Sequence, residues 1–187
     1  AMPKLTHRYY KWKANQFGQT KLDWWDRNAP LPHSFENLIK WSEAKDIILD
    51  SFSSFHPEIS NLAELFFKNN WIDASLRKGK ASGAFAHPSV PSLHPYILVN
   101  YQGKIRDVMT LAHELGHGIH QILAGKNGLL MAETPLTLAE TASVFGEMLV
   151  FRKLLDESSI TQKKQLLSGK IEAVSYTHLT LPTILSV

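Results

Sequence analysis

The 187-residue chain contains no cysteine. That excludes disulfides, thiolate metal sites, iron–sulfur clusters and a cysteine nucleophile, and it suits a reducing compartment. Long apolar runs are also missing. No stretch approaches the roughly 20 residues that cross a bilayer, so no membrane partner is expected. Ala1 to Asn15 is rich in Lys and aromatic residues without an apolar centre, and does not read as a secretory signal. Dense charge of one sign is lacking too. Twenty Lys and Arg against seventeen Asp and Glu leave a net +3, and the densest basic cluster is only Arg77, Lys78 and Lys80. Nucleic-acid binding leaves a heavier basic footprint than this, so no nucleic-acid partner is expected.

What is present has a globular balance: 44% hydrophobic and 20% charged residues. The length suits one domain of about 100–200 residues. The pattern is mainly α with a minor β part. A first helix is expected from about Leu5 to Phe17, closed by Gly18. Trp25 to Pro32 reads as a loop, and Ser34 as the cap of a helix carrying Leu38, Trp41, Ile47 and Ile48 to about Phe52. Pro57 suits the first turn of a helix running to Phe67. Arg77 to Ser92 is punctuated by Gly79, Gly83, Pro88 and Pro91, and reads as a loop holding an extended piece, Gly83 to His87. Tyr96 to Tyr101 reads as a strand.

Asp107 is placed to cap a long helix from Val108 to Ala124, which Gly125 closes. Further helices are expected at about Leu136 to Asp156 and Thr161 to Glu172. No repeat and no domain break is legible. The last fifteen residues, Ala173 to Val187, carry no Lys, Arg, Asp or Glu. They interrupt the helical pattern with β-branched residues and Pro182, and would otherwise read as a C-terminal strand.

The chemistry concentrates in His113-Glu114-Leu115-Gly116-His117, an H-E-x-x-H pattern inside the long helix. Residues four apart share a helix face, about 6 Å apart along the axis. Two neutral imidazoles at that spacing can bind one Zn²⁺, and Glu114 can take the proton of an activated water. By chance this pattern arises about 0.02 times in a chain of this composition. Catalytic zinc usually takes a third protein ligand. Glu140, 23 positions beyond His117 on the next helix, is the best placed; Glu133, before Pro135, and Glu147 compete. Glu147 lies two turns past Glu140 on the same face, where it can orient a histidine or remain a surface charge.

Other residues carry weaker signals. His120 falls on the face of His113. An open metal position must be kept for water, which favours a hydrogen-bonded histidine packed beside the site over a fourth ligand. Gly116 and Gly118 each cost the helix about 1 kcal/mol relative to Ala, a loss that makes sense where the Glu140 helix comes close. His87 and His94 each precede a proline and read as structural, and Trp24, Trp25, Trp41 and Trp71 as core anchors.

At these residues the sequence resembles the oligoendopeptidase F group of zinc oligopeptidases, relatives of thimet oligopeptidase. The resemblance runs from about Thr6 to Glu172, through THRYYKWKA, WIDASLRKGKASGAFAHPSVPSLHPYILVNY, RDVMTLAHELGHGIHQ and TPLTLAETASVFGEML. It implies a zincin-like catalytic core of a two-lobed helical oligopeptidase, with a short β segment before the metal-binding helix. It also implies one zinc per chain on His113, His117 and Glu140, Glu114 as base, and short peptides cleaved in the cytoplasm. Gly83, Ala84 and Phe85 would line the peptide through backbone hydrogen bonds. Members of the family are several times longer. Residues 1–172 therefore read as a partial peptidase catalytic domain, without the N-terminal lobe or the later segment that supplies oxyanion donors. Residues 173–187 do not resemble the family and read as foreign or frameshifted sequence. Manganese or cobalt could use the same donors.

Overall fold

The computed structural model describes residues 2–29, 31–32 and 38–184. Among these, the chain falls into two compact units, residues 37–157 and residues 1–36 with 158–187. The sequence shows no break at either boundary, because both junctions are short polar segments without a change of composition.

The first unit to form a site is residues 37–157. Helix α2 (Trp41–Phe55) buries Ala44, Ile48 and Phe52, and α3 (Pro57–Lys68) buries Ala63 and Phe66. Pro57 opens α3 where its missing N–H costs nothing, and His56 Nδ1 accepts from the Glu58 amide at 3.3 Å. The helix expected from Ser34 begins only at Trp41. Leu38 precedes it and is exposed, and Ser34 lies outside the described residues.

Three short strands follow: β1 (Ile72–Asp73), β2 (Phe85–His87) and β3 (Tyr96–Leu98), in the order β1-β3-β2. β1 pairs parallel to β3 and β2 antiparallel to it, with Phe85 opposite Leu98, Ala86 opposite Ile97 and His87 opposite Tyr96. β1 has no sequence signature, since two residues cannot show a period. The extended piece and the later strand are both shorter than expected from sequence.

Helix α4 (Ile105–Gly125) begins three residues before the expected Val108. Asp107 caps it from the third helical position: its Oδ2 accepts from the backbone N–H groups of Gln102 (2.8 Å) and Lys104 (3.0 Å). Val108, Leu111, Ala112, Leu115 and Ile119 are buried at a helical period, so α4 turns one apolar face to the centre of the unit. Helix α5 (Leu136–Glu157) closes the unit and buries Val150, Phe151 and Leu154.

The other unit holds α1 (Met2–Gln16), a 3-10 turn at Trp24–Asn28, and α6 (Ile160–Ile184). The turn replaces part of the loop expected at Trp25 to Pro32. Fully buried Lys13 donates to the Arg27 carbonyl at 2.8 Å and pairs with Glu172. Helix α6 runs past Glu172 to Ile184, where neither the expected end nor a strand appears. β-branched residues lower helix propensity by only a fraction of a kcal/mol each, too little to stop a helix already under way, and Pro182, which costs a helix interior about 3 kcal/mol, falls only two residues before the helix ends. Trp24 and Trp25 are 83% and 63% exposed and meet each other edge to face, 5.6 Å between ring centroids, so they are not core anchors. Trp41 is half-buried against Phe67 and Tyr101, and Trp71 against Phe66 and the His94 ring.

One side chain pins the sheet. Lys80 is almost wholly buried, and its ammonium donates to the carbonyls of Asp73 (2.9 Å), Ser75 (2.9 Å) and Val99 (2.7 Å) and to Asp73 Oδ1 (3.1 Å). Arg77 forks onto the same carboxylate at 2.7 and 2.5 Å. The Arg77 hydrogen bonds, with Lys80 behind them, hold the Asp73 carboxyl down to about 2. A carboxyl depressed in the folded state stabilises fully above its ordinary pKa, and that contribution disappears as pH falls through the folded one. Asp73→Asn is therefore expected to lower the melting temperature at pH 7 by a few degrees, with the gap to wild type closing between about pH 4 and pH 2. A gap that stays constant across that range would contradict this.

Candidate metal centre

The site is built on the face where α4 meets α5. His113 and His117 stand one turn apart on α4, their rings 5.0 Å apart and nearly perpendicular. Glu140, in the second turn of α5, brings Oε2 to 3.2 Å from His113 Nε2 and 3.6 Å from His117 Nε2. One ligand atom from each of the three lies within 4.8 Å of the others, the one such group among the described residues. Glu147 Oε2 lies 3.5 Å from the other nitrogen of His113, Nδ1. That contact fixes the ring and leaves Nε2 directed at Glu140.

Glycine makes the approach close enough. A Cβ on Gly116 would lie 2.5 Å from the Ala142 carbonyl oxygen and 2.7 Å from Ser143 Cα. From the other side, a Cβ on Gly146 would lie 3.0 Å from the Ala112 carbonyl oxygen and 3.5 Å from Gly116 Cα. The two helices thus touch backbone to backbone beside the metal donors. Gly118 does something else. A Cβ on Gly118 would lie 2.6 Å from the Phe66 ring and 3.4 Å from Ile97 Cδ1, on α3 and β3. The close approach to the Glu140 helix thus belongs to Gly116 alone of that pair.

Glu114 is buried beside His113 and within electrostatic reach of Glu140. Burial pushes its carboxyl up to about 6, with Glu140 adding to the rise and His113 and the Ala86 backbone amide opposing it. Burial also pulls His113 down, but the Glu147 hydrogen bond and the carboxylates of Glu114, Glu140 and Glu147 outweigh it, leaving His113 above its ordinary value. His117 goes the other way. Burial lowers it, Glu140 and the Ala139 backbone oppose, and His113 and His120 lower it further.

Strand β2 lies against the same helix. Ile97 gives its amide to the Trp71 carbonyl, at 2.9 Å, so Ala86 opposite it turns its own amide and carbonyl to the outer edge. There α4 meets it at both groups: the Ala86 amide bonds Glu114, and the Ala86 carbonyl accepts from Gln121 Nε2 at 3.3 Å. The register continues to place Gly83 opposite Asn100, whose side-chain amide donates to the carbonyls of Ala81 (3.0 Å) and Gly83 (2.9 Å). Gly83 and Ala84 lie just before the strand, and Phe85 is its exposed first residue.

The structure thus brings together His113, Glu114, His117, Glu140 and Glu147. His120 sits half-buried one turn beyond His117 and is not in the three-residue group. Glu133 is exposed in the loop before α5. His87 accepts from the Ser89 amide and His94 stacks flat on Trp71, 3.9 Å between centroids, so both are structural. Two residues escaped sequence reading. Ser143 is fully buried and donates to Glu140 Oε2 at 2.8 Å. Gln121 ties β2 to α4. Their only sequence signal is spacing, Ser143 three residues after Glu140 and Gln121 seven after Glu114.

A helix pair carrying H-E-x-x-H and a glutamate, with a short sheet laid along it, is the kind of donor arrangement that metallopeptidases use. The sequence profile described as Peptidase family M3 matches residues 1–181, and the chain belongs to that family. It is 30% identical over 160 residues to an oligoendopeptidase F homolog of Lactococcus lactis subsp. lactis (strain IL1403), covering 82% of this chain and 26% of that one. It is 27% identical over 164 residues to oligopeptidase PepF of Bacillus subtilis (strain 168), covering 87% and 24%. Among solved structures, a Chlamydophila abortus protein assigned as a peptidase superposes with a TM-score of 0.74 at 30% identity, over 91% of this chain and 29% of that one. PZ peptidase A superposes with a TM-score of 0.76 at 18% identity, over 94% and 32%, a likeness of fold. The chain spans about a quarter of the length of the curated relatives it matches. No helix among the described residues is long and apolar enough to cross a membrane.

The glycine contact has a measurable consequence. Gly116→Ala must push α5 backbone aside and is expected to cost about 1–3 kcal/mol in denaturant unfolding. Gly118→Ala presses only on the far end of the Phe66 ring and should cost less. Equal costs would mean the α4–α5 approach is not set at Gly116.

Proposed function

We propose that these residues are the core of a zinc-dependent endopeptidase acting on short oligopeptides, with His113, His117 and Glu140 as the metal ligands. The observation that carries this is the convergence of two imidazole Nε2 atoms on one carboxylate oxygen, at 3.2 and 3.6 Å. Bonds of about 2.0–2.1 Å to a tetrahedral zinc set neighbouring donors about 3.3–3.4 Å apart, and the two distances from Glu140 Oε2 to the imidazoles match that spacing. Nitrogen and carboxylate donors without sulfur also suit manganese or cobalt.

When bound, the metal supplies Lewis-acid polarisation of the scissile carbonyl and a more acidic water. The protein's own groups do the rest. Glu114 is the general base: its carboxylate takes the water's proton and returns it to the leaving nitrogen. With a pKa raised to about 6 it is still ionised near neutral pH, yet basic enough to hold the proton. Glu147 orients His113 through Nδ1. His120 packs beside the site and is not a ligand. A peptide is held by backbone pairing along the edge at Gly83, Ala84 and Phe85, a recognition indifferent to sequence. The outward groups of Ala86 are taken by α4 and the inward carbonyls of Ala81 and Gly83 by Asn100, so in this register Ala84 is the residue whose backbone groups face the open edge. The missing cysteines suit action in the cytoplasm.

A second reading is a metal-binding but catalytically incomplete fragment. Oxyanion donors are typically worth about 10²–10³ in rate each. The Tyr101 hydroxyl is not free to act as such a donor, since it donates to the Ile39 carbonyl at 2.8 Å.

Metal analysis after dialysis should find one zinc per chain, falling close to zero in His113→Ala and in Glu140→Ala. Full occupancy in both variants would refute the ligand assignment. Glu114→Gln should keep the zinc and reduce cleavage of a fluorogenic peptide by at least about 10²-fold, the range of a lost general base. Undiminished cleavage would remove Glu114 from that role.

A further inference from the structure

We propose that Ser143 is a positioning residue of the metal centre, its buried hydroxyl holding the Glu140 carboxylate so that Oε2 stays on the two imidazoles. The proposal rests on the metal-site reading above. Glu140 needs holding. Its side chain is 55% exposed, long and rich in rotamers, whereas the imidazoles it must meet are stiffer and half-buried. Ser143 stands one turn further along α5, fully buried on the stripe that faces α4 and carries Glu140 and Glu147.

Its hydroxyl has one proton and two acceptors in reach, Glu140 Oε2 at 2.8 Å and the Glu140 backbone carbonyl at 3.1 Å. Bonding a carbonyl three residues back is the ordinary habit of serine within a helix, and it would leave the carboxylate unheld. The carboxylate is the nearer acceptor and the charged one, and a charge-assisted hydrogen bond is the stronger of the two. Oε2, the oxygen that accepts this bond, is the same one that lies against both imidazoles. A carboxylate oxygen has two lone-pair directions, so the hydroxyl can take one and leave the other for a cation.

The position of the hydroxyl is fixed by the glycine contact. Ser143 Cα lies 2.7 Å from the point where a Gly116 Cβ would stand, so the serine backbone cannot move toward α4. Alanine at 143 would fill nearly the same space and preserve the packing while removing the proton. The substitution therefore isolates the hydrogen bond.

The test is a zinc titration of the 187-residue chain against a chromophoric chelator. It compares wild type, Ser143→Ala, Glu140→Ala and the double variant, with the metal-free melting temperature of each. Ser143→Ala is expected to bind one zinc with an affinity about 10–100-fold weaker, at a melting temperature close to wild type. Because Ser143 acts through Glu140, adding Ser143→Ala to Glu140→Ala should change the residual affinity by less than about twofold. Two results overturn the proposal while leaving the metal reading intact. One is Ser143→Ala binding as tightly as wild type while Glu140→Ala does not. The other is an equal loss in both backgrounds, the mark of a packing role. A wild-type chain that binds no zinc overturns the metal reading, and the Ser143 proposal falls with it.

Discussion

The site depends on a backbone contact. Where α4 and α5 cross, Gly116 and Gly146 remove the side chains that would otherwise keep the helices a full side-chain layer apart. Helices with ordinary side chains at the contact pack about 8–10 Å axis to axis. At that separation a glutamate on one must reach across a crowded layer to meet histidines on the other. Here the helices touch at Gly116, Ala142 and Ser143, and Glu140 meets both imidazoles within 3.6 Å. Each helical glycine costs about 1 kcal/mol of helix propensity, and the long apolar face of α4 offsets that cost.

Proximity then sets the electrostatics. Three carboxylates, Glu114, Glu140 and Glu147, surround His113, and the balance of burial against their charge raises one imidazole while its neighbour is lowered. A half-buried cluster with this excess of negative charge favours a cation. The carboxylates are not equivalent. Glu140 faces outward beside the imidazoles, Glu147 bonds the far nitrogen of His113, and Glu114 is buried against the β2 edge, where the Ala86 amide meets it. One environment apiece separates them, and the sheet supplies the third.

The parts legible in the sequence are those written in local periods. The length of α5, Leu136–Glu157, follows its pattern almost to the residue, and α4 announces itself by an apolar face and a closing glycine. The shared face of Glu140 and Glu147 follows from a spacing of seven. Tertiary choices were not legible. Trp24 and Trp25 are as aromatic as any core residue, and only the packing of their unit leaves them exposed. β1 is too short to carry a period, and α6 continues beyond Glu172 through β-branched residues and Pro182, against what local propensity indicates. Ser143 shows why site chemistry is harder still. A serine within a helix normally bonds its own backbone, and only the three-dimensional nearness of a charged acceptor gives it another partner.

The α4–α5 contact brings two imidazole nitrogens and one carboxylate oxygen together as a single donor set. Anomalous scattering from crystals of the zinc-loaded chain tests it most directly. A single strong peak is expected, bounded by Nε2 of His113, Nε2 of His117 and a carboxylate oxygen of Glu140, at about 2.0–2.2 Å from each. A peak held by any other set of side chains, or one that leaves Glu140 out, would contradict it.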